Sequence, residues 1–244
     1  MMHQTSKQLK SNAKGILLGR YGLPMGALVL TLGITFLLEN LITLVIPTST
    51  GGYLITYLAL LIVSIFSSLL DTGYSYLMLN MARGKQYKLS DLLYVFQTMP
   101  DHVILLSLRI FLLTFGCMIP MSIGMVLLIF QPEALIFRIV FVLLLLVSFA
   151  LSLKVSLDYS QIYFIYLDNP YLSTKEVMAE SKAMMKGNRW RYFYLNLSFI
   201  GMMILGVLSF FIGYLWITPY MTMTTVEFYR DLIGETSTSS ENTF

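Results

Sequence analysis

The sequence predicts an all-α fold, a polytopic bundle of transmembrane helices, and two observations predict it. The first is composition: 57% of the 244 residues are hydrophobic and 12% are charged, whereas a soluble domain has roughly 45–50% and 25%. The second is patterning, because the hydrophobic residues fall in runs of about 20 or more, the length that crosses about 30 Å of hydrocarbon. The mean hydropathy of +0.73 points the same way. We therefore expect residues 1–244 to form a single membrane domain.

Five apolar runs are long enough to cross a bilayer. The first follows a basic segment, as the core of a signal peptide does, but it is much longer than the 7–15 residues of such a core. We therefore interpret it as a retained helix. The five predicted spans are 21–46, 53–82, 102–130, 135–167 and 190–211.

The segment from Trp190 to Leu232 decides between six spans and five. It is either one long helix with an exposed tail or two spans that turn near Ser209–Gly213, the second running from Tyr214 to Leu232. We favour six, with five as the alternative, because five would leave Arg230 on the side away from most other basic residues. The last segment is rich in threonine and contains Glu227, so as a span it should pack inside the bundle.

The distribution of basic residues predicts the orientation, because Lys and Arg mark the cytoplasmic side of membrane proteins. The loops at residues 47–52 and 131–137 carry no basic residue. About twelve of the 16 basic residues lie at the opposite side. These are Lys7, Lys10, Lys14, Arg20, Arg83, Lys85, Lys88, Lys175, Lys182, Lys186, Arg189 and Arg191. The amino terminus, within the basic segment 1–20, is therefore predicted to be cytoplasmic.

Each odd-numbered span follows a short basic segment with helical patterning: SKQLKSNAKG, KLSDLLYVFQTM and STKEVMAESKAMMKG. This predicts three units, each a surface helix followed by a hairpin. In the third segment, within residues 172–187, Ser173 and Glu176 form a capping box and Gly187 stands where the helix would stop. We expect a helix lying in the membrane interface, with lysines toward water. Its predicted lipid-facing residues are Val177, Met178, Met184 and Met185. Residues 234–244 are predicted to be a flexible tail.

The residues also resemble a known family. The start KQLKSNAKGILLGRYG, the motif MARGK, the segment KEVMAESKAMMKGNRWRYFYLNLSFIGMMIL and the closing LWITPY and FYRDL are similar to bacterial integral membrane proteins of the family called domain of unknown function 975. The resemblance covers most of the chain, and the block from Lys175 to Leu205 is its most specific part. It implies a bacterial cell membrane and a multi-helix bundle, and it implies no activity.

Ionisable residues inside the predicted spans are the main candidates for function, because a charge at the bilayer centre costs about 2.5–3.5 kcal/mol on insertion scales. Glu39 should lie near the outer end of its span. Four others should lie in the cytoplasmic half of the bilayer: Asp71, Arg109, Lys154 and Asp158.

Two of these charges belong to a helical pattern in the fourth span. Lys154, Asp158 and Gln161 stand at i, i+4 and i+7, so a continuous helix would place them on one face. The lysine and aspartate would then neutralise each other along a polar stripe that faces the bundle. The alternative is that Lys154 reaches toward the headgroups, because a helix of about 33 residues is about 50 Å long and overshoots the bilayer.

Other features concern partners. Five basic residues are predicted to bind anionic lipid or a protein partner: Lys175, Lys182, Lys186, Arg189 and Arg191. Gly22 and Gly26 have the G-x-x-x-G spacing of close helix packing, which makes an oligomer through them one prediction. With a single cysteine, Cys117, and no metal-ligand spacing or phosphate-binding motif in the sequence, we expect no metal, no cofactor and no nucleic-acid partner.

Three classes of function fit these observations. The first is a non-enzymatic membrane protein that binds a lipid, an amphipathic peptide or another membrane protein, and the absence of catalytic motifs favours it. The alternative is a small secondary transporter, for which the intramembrane charges and Pro219 in the last span are the relevant features. An intramembrane enzyme is the third class and would have to build its site from scattered carboxylates.

Overall fold

The computed structural model describes residues 3–46, 49–98, 100–130 and 133–235, and within these ranges the chain is helical and contains no strand. A short 3₁₀ helix, Leu89–Leu93, precedes α4. The α-helices are α1 (Ser6–Leu17), α2 (Gly22–Val45), α3 (Thr50–Ala82), α4 (Tyr94–Gln97), α5 (Pro100–Phe130), α6 (Leu135–Asp158), α7 (Ile162–Asp168), α8 (Thr174–Met185), α9 (Arg189–Leu197), α10 (Ile200–Leu208) and α11 (Tyr214–Leu232). The predicted all-α bundle is confirmed.

The helices form three hairpins, α2–α3, α5–α6 and α9/α10–α11, and a short helix precedes each hairpin. This order matches the predicted plan of surface helix plus hairpin. Five segments are long and apolar enough to cross a membrane: Gly22–Val45, Gly51–Ala82, Pro100–Phe130, Leu135–Asp168 and Arg189–Leu208. The chain is therefore a multi-pass membrane protein. The predicted turn at Ser209–Gly213 is present, and α11 after it packs against α1, α2, α3 and α10.

The bundle has two parts with different surfaces. In the first, which we call the apolar belt, the long helices expose large apolar side chains such as Leu44, Tyr57, Phe130 and Phe149. In the second, which we call the head, the buried core consists of one large and one small cluster, mainly from α1, the second half of α3, α7, α8 and the second half of α11. The α2–α3 and α5–α6 loops lie at the end of the belt away from the head, and we call that end the hairpin end.

Helix α3 joins the two parts because it is longer than a bilayer is thick. Its 33 residues extend about 50 Å at 1.5 Å each, while the hydrocarbon is about 30 Å thick. Its first half exposes Tyr57 and Ile62, whereas Leu77 and Met78 near its other end are fully buried. The last 20 Å or so of α3 are therefore the central helix of the head, outside the hydrocarbon.

The third hairpin is shorter than the other two. α11 packs along α3, and Ala82, the last residue of α3, lines the same cavity as Glu227. About 13 residues of α11, or 20 Å, separate Glu227 from Tyr214. The turn at Ser209–Gly213 therefore lies about 25 Å short of the hairpin end. Both ends of this hairpin lie at the head, but its tip stops within the belt. Because α11 is not among the five segments long and apolar enough to cross a membrane, the favoured count of six spans stays a prediction.

The tip of the third hairpin is apolar. Phe210 and Phe211 form the turn with positive φ angles of 53° and 67°, a conformation that aromatic residues adopt at an energetic cost. Both side chains are exposed, Phe210 to 89%. At the level of the belt, these rings face hydrocarbon, which stabilises an exposed apolar tip that water would not.

Two short helices that the sequence placed on the surface are packed into the head instead. The capping box of α8, Ser173 with Glu176, is present, and its hydrogen bonds lower the pKa of Glu176. The prediction that the apolar face of α8 meets lipid is wrong for Val177 and Met185, because both are fully buried against protein. Met178 and Met184 are half-buried, packed against the core. On α1, Leu9, Ala13 and Leu17 are also fully buried.

Two other predictions concern the glycines at the start of α2 and the carboxyl-terminal tail. Gly22 and Gly26 are exposed, and a side chain at either would meet no atom of the described chain. The oligomer predicted through them is not tested by a single chain. The predicted tail, 234–244, lies outside the described residues from residue 236 onward.

One glycine, Gly73, allows the segment before α5 to approach α3. A Cβ atom built there would lie 2.1 Å from the Leu92 carbonyl oxygen of the 3₁₀ helix. Next to this contact, the rings of Tyr76 and Tyr94 stack with centroids 3.8 Å apart. Since backbone is the obstacle, no side-chain rotation can relieve the overlap.

We predict that Gly73→Ala destabilises the protein by about 1–3 kcal/mol, because the added methyl group overlaps with backbone. Thermal unfolding of the detergent-solubilised protein measures the effect. Gly26→Ala is the matched control: it places the same methyl group in open space on a helix, where alanine is favoured over glycine by about 0.5–1 kcal/mol. Equal melting temperatures for the two variants would contradict the packing at Gly73.

Candidate functional site

Three of the predicted intramembrane charges lie at one level, the boundary between belt and head. Asp71 is about 21 residues from the start of α3, Arg109 about 21 residues from the end of α5, and Lys154 about 19 residues from the start of α6. At 1.5 Å per residue, each lies about 30 Å from the hairpin end, which is the thickness of the hydrocarbon. These charges are therefore near the headgroups of one leaflet and not at the bilayer centre.

Asp158 has a partner, but the partner is not Lys154. Its buried carboxylate accepts a hydrogen bond from Nε of Arg189, at the start of α9. Lys154 is exposed and forms no ion pair among the described residues. The predicted lysine–aspartate pair is wrong, because Asp158 is the last residue of α6 and turns its side chain toward α9.

The predicted polar stripe is also interrupted. Residues Tyr159–Gln161 form a turn between α6 and α7, so Gln161 is not on a continuous helix with Lys154. Gln161 is fully buried; its amide nitrogen donates to Ser160 Oγ at 3.0 Å, and its Oε1 has no partner in the described chain. Arg109, on α5, is half-buried and makes no ion pair with a described residue.

Asp71 differs from Asp158 because its carboxylate is exposed and no described side chain hydrogen-bonds or pairs with it. The backbone carbonyl of Asp71 accepts a hydrogen bond from Ser75 Oγ at 2.9 Å. Asp71 and Ser75 are four residues apart and share one face of α3.

A groove opens on this face of α3. Its volume is about 450 Å³, within the range of small-molecule sites. One wall is a face of α11, where Tyr214, Thr218, Met221, Thr222 and Thr225 follow at helical spacing. These threonines are the reason that α11 is too polar to face lipid with its whole surface.

The opposite wall of the groove comes from three other segments. Ser75 of α3, Ser160 before α7, and Tyr163 supply hydroxyl groups, and Asn196 of α9 supplies an amide. Met203 of α10 lies at the end of the groove nearer the turn of the third hairpin. Its carbonyl accepts a hydrogen bond from the Tyr214 hydroxyl at 3.1 Å. The groove is therefore polar toward the head and more apolar toward the belt, and its lining carries no charged side chain.

A chain of hydroxyl groups continues from the groove into the bundle. The Tyr163 hydroxyl lies 3.3 Å from Ser107 Oγ on α5, and Ser107 Oγ donates to Ser68 Oγ on α3 at 2.7 Å. Ser68 Oγ in turn donates to the Ile65 carbonyl at 2.6 Å. These bonds fix the Tyr163 ring, which is part of the groove wall, relative to α3 and α5.

The basic surface that the sequence assigned to lipid or a partner is divided in the structure. Lys175, Lys182 and Lys186 are exposed on α8. Arg189 is paired with Asp158, and Arg191 with Asp231, from Nη2 to Oδ2 at 2.5 Å. Only the three lysines have their charge directed to solvent, whereas the two arginines connect helices within the head.

An ion-pair network that the sequence did not predict holds the head together. Arg83, just after α3, donates from both terminal nitrogens to Asp168 of α7, at 2.6 and 2.8 Å, and also to Glu235 at 2.6 Å. Arg230 of α11 donates to Glu235 at 3.0 Å and to Glu227 at 2.5 Å. The hydrogen bonds to Asp168 raise the pKa of Arg83 above its ordinary value, so the guanidinium stays charged.

A second cluster connects the amino terminus to the same end of α11. Asp231 accepts hydrogen bonds from Arg191 and from the backbone nitrogen of Gln4 at 3.1 Å, and its carboxylate lies 3.2 Å from His3 Nδ1. The sequence offered one signal for this arrangement: Glu227, Arg230 and Asp231 stand within about one helical turn of each other, an unusual density of charge in so apolar a chain.

Comparison with known proteins identifies the family. A family model described as "Protein of unknown function (DUF975)" matches residues 1–236, which confirms the resemblance found in the sequence. No curated protein and no solved structure matches the chain.

We predict that Asp158→Asn destabilises the protein by about 2–4 kcal/mol, because it leaves Arg189 without its buried partner. Lys154→Met, a control at the neighbouring charge, should change stability by less than about 1 kcal/mol. Thermal unfolding in detergent compares them. The double variant Asp158→Leu with Arg189→Met should be more stable than Asp158→Asn. A larger effect of Lys154→Met than of Asp158→Asn would contradict this pairing.

Proposed function

The chain belongs to the DUF975 family, whose description names no activity, and we propose from the geometry that it is a non-enzymatic membrane protein that binds an amphipathic ligand, a lipid in the first place. The groove between α11, α3 and α7 is the proposed site. We also propose that the head faces the bacterial cytoplasm, since the basic residues lie there.

The observation that carries this proposal is the polarity gradient along the groove. Its head end, with Ser75, Ser160 and Asn196, lies near the headgroup level, and its other end, with Met203 and Tyr214, lies at the level of the belt. A lipid of the leaflet nearest the head has the same gradient, with polar atoms at the boundary and a chain below. A lipid of this leaflet could therefore bind in the groove without crossing the bilayer.

The size of the groove favours a lipid over an amphipathic peptide. One turn of an α-helix is 5.4 Å long and 10–12 Å wide, so a single turn would occupy about 450 Å³. A peptide helix of useful length would not fit, whereas one chain and a small headgroup would.

The lining of the groove also favours binding over chemistry. Hydroxyls, an amide and thioethers line it, and these groups bind polar atoms or pack against chains. We therefore propose that the ligand leaves the groove unchanged.

Transport is the alternative function, and the hydroxyl chain from Tyr163 through Ser107 to Ser68 is the observation that favours it. The position of the charges argues against it. Asp71, Arg109 and Lys154 lie at one boundary of the hydrocarbon, whereas transporters place their binding sites near the bilayer midplane.

The test of the proposed function is to fill the groove. Thr222→Phe places a ring between α11 and α3, and Thr43→Phe, an exposed position near the hairpin end of α2, is the matched control. Native mass spectrometry of the gently extracted protein measures bound lipid. We expect a stoichiometric lipid on the original protein and on the Thr43→Phe variant, and a loss of about tenfold or more in occupancy for Thr222→Phe.

Two results would contradict the proposed function. One is an original protein that carries no stoichiometric lipid at any detergent concentration that keeps it folded. The other is equal occupancy in the Thr222→Phe and Thr43→Phe variants, which would place the lipid outside the groove.

A further inference from the structure

We infer that Asp71 selects the ligand of the groove by charge, and that the ligand is a single-chain amphiphile with a cationic headgroup, such as a primary ammonium. This inference rests on the proposed function, since it concerns the same groove. It adds the chemical class of the headgroup.

The first step is the position of Asp71. Asp71 lies about 30 Å from the hairpin end, a level between the two ends of the groove. It is on the same face of α3 as Ser75, which lines the groove. Asp71 therefore lies one helical turn from Ser75 of the groove lining, at headgroup level.

The second step is that this carboxylate is unsatisfied by the described chain. Asp158, Asp168, Glu227 and Asp231 each pair with an arginine. Asp71 has an exposed side chain and neither an ion pair nor a side-chain hydrogen bond with any described residue. At the edge of hydrocarbon, an ionised carboxylate without a partner is costly, and a cation would remove that cost.

The third step is the charge of the groove itself. Lys and Arg are absent from its described lining, which consists of hydroxyls, one amide, thioethers and aromatic rings. A phosphate or carboxylate headgroup would find no counter-charge there and would be repelled by Asp71. A cationic headgroup would gain a charge-assisted hydrogen bond, and the surrounding hydroxyl oxygens can accept its other protons.

The aromatic rings of the groove strengthen this choice. Tyr163 and Tyr214 line it together with Phe164. Aromatic faces attract ammonium groups through their quadrupole. The combination of one carboxylate and several rings favours a cation over a neutral alcohol of the same length.

The experiment compares two probes that differ in charge alone, hexadecylamine and hexadecanol. Both are titrated into the full-length protein in nanodiscs of zwitterionic lipid at pH 7, and binding is measured by native mass spectrometry. We expect the amine to bind about tenfold or more tightly than the alcohol. Asp71→Asn, which keeps the shape of the side chain, should reduce this preference to about twofold or less, and Asp71→Glu should restore most of it.

Glu39→Gln is the matched control, because Glu39 is also an exposed carboxyl of a spanning helix but lies on α2 near the hairpin end. It should keep the full preference for the amine. The inference is wrong if Asp71→Asn retains that preference, if Glu39→Gln loses it equally, or if the original protein binds both probes alike.

The outcomes also separate this inference from the proposed function. If both probes bind equally and Thr222→Phe abolishes both, the groove is a lipid site and the charge selection by Asp71 is wrong. If neither probe binds to the folded original protein and no co-purified lipid is found, the proposed function fails as well.

Discussion

The thickness of the hydrocarbon, set against the length of α3, is the constraint on which the rest of the structure depends. A helix of 33 residues is about 50 Å long and cannot be buried in about 30 Å of lipid. The surplus must be covered by protein, and the 3₁₀ helix, α4, α1, α7 and α11 cover it. Leu77, Met78 and Met81 of α3 become core residues of the head for this reason. The same surplus carries Asp71 to the boundary between belt and head.

Ion pairs connect the elements of the head. The head brings together segments distant in the chain, and Arg83, Arg191 and Arg189 each bond to a carboxylate on another element. Such pairs contribute little net stability, because desolvation offsets the attraction, but a wrong arrangement that buries one charge alone is strongly disfavoured. They therefore act chiefly on specificity. The apolar faces of α1 and α8 could pack in many ways, whereas few arrangements pair each arginine with a carboxylate.

The sequence could predict the helices of the bundle but not the depth of each one. Hydropathy identified the five apolar segments and the turn at Ser209–Gly213, because both depend on local composition. The partner of Asp158 could not be predicted, since Arg189 is about 30 residues away in the chain whereas Lys154 is only one helical turn away. The pairing of Asp158 with Lys154 was wrong because α6 ends at Asp158. The lipid-facing assignment of Val177 failed for a related reason: an amphipathic helix has the same pattern whether lipid or protein covers its apolar face.

The groove follows from the short third hairpin. Because α11 runs along the second half of α3 and its turn ends within the belt, its threonine face meets α3 and α7 at the headgroup level and not at the bilayer centre. Hydroxyls at the centre would have to satisfy one another, whereas at the boundary they can remain available to a ligand. A full-length sixth span would have moved Thr218 and Thr222 about 25 Å toward the hairpin end, away from Asp71 and Tyr163. The shortness of this hairpin thus places neutral polar groups and aromatic rings around one opening, one helical turn of α3 from Asp71.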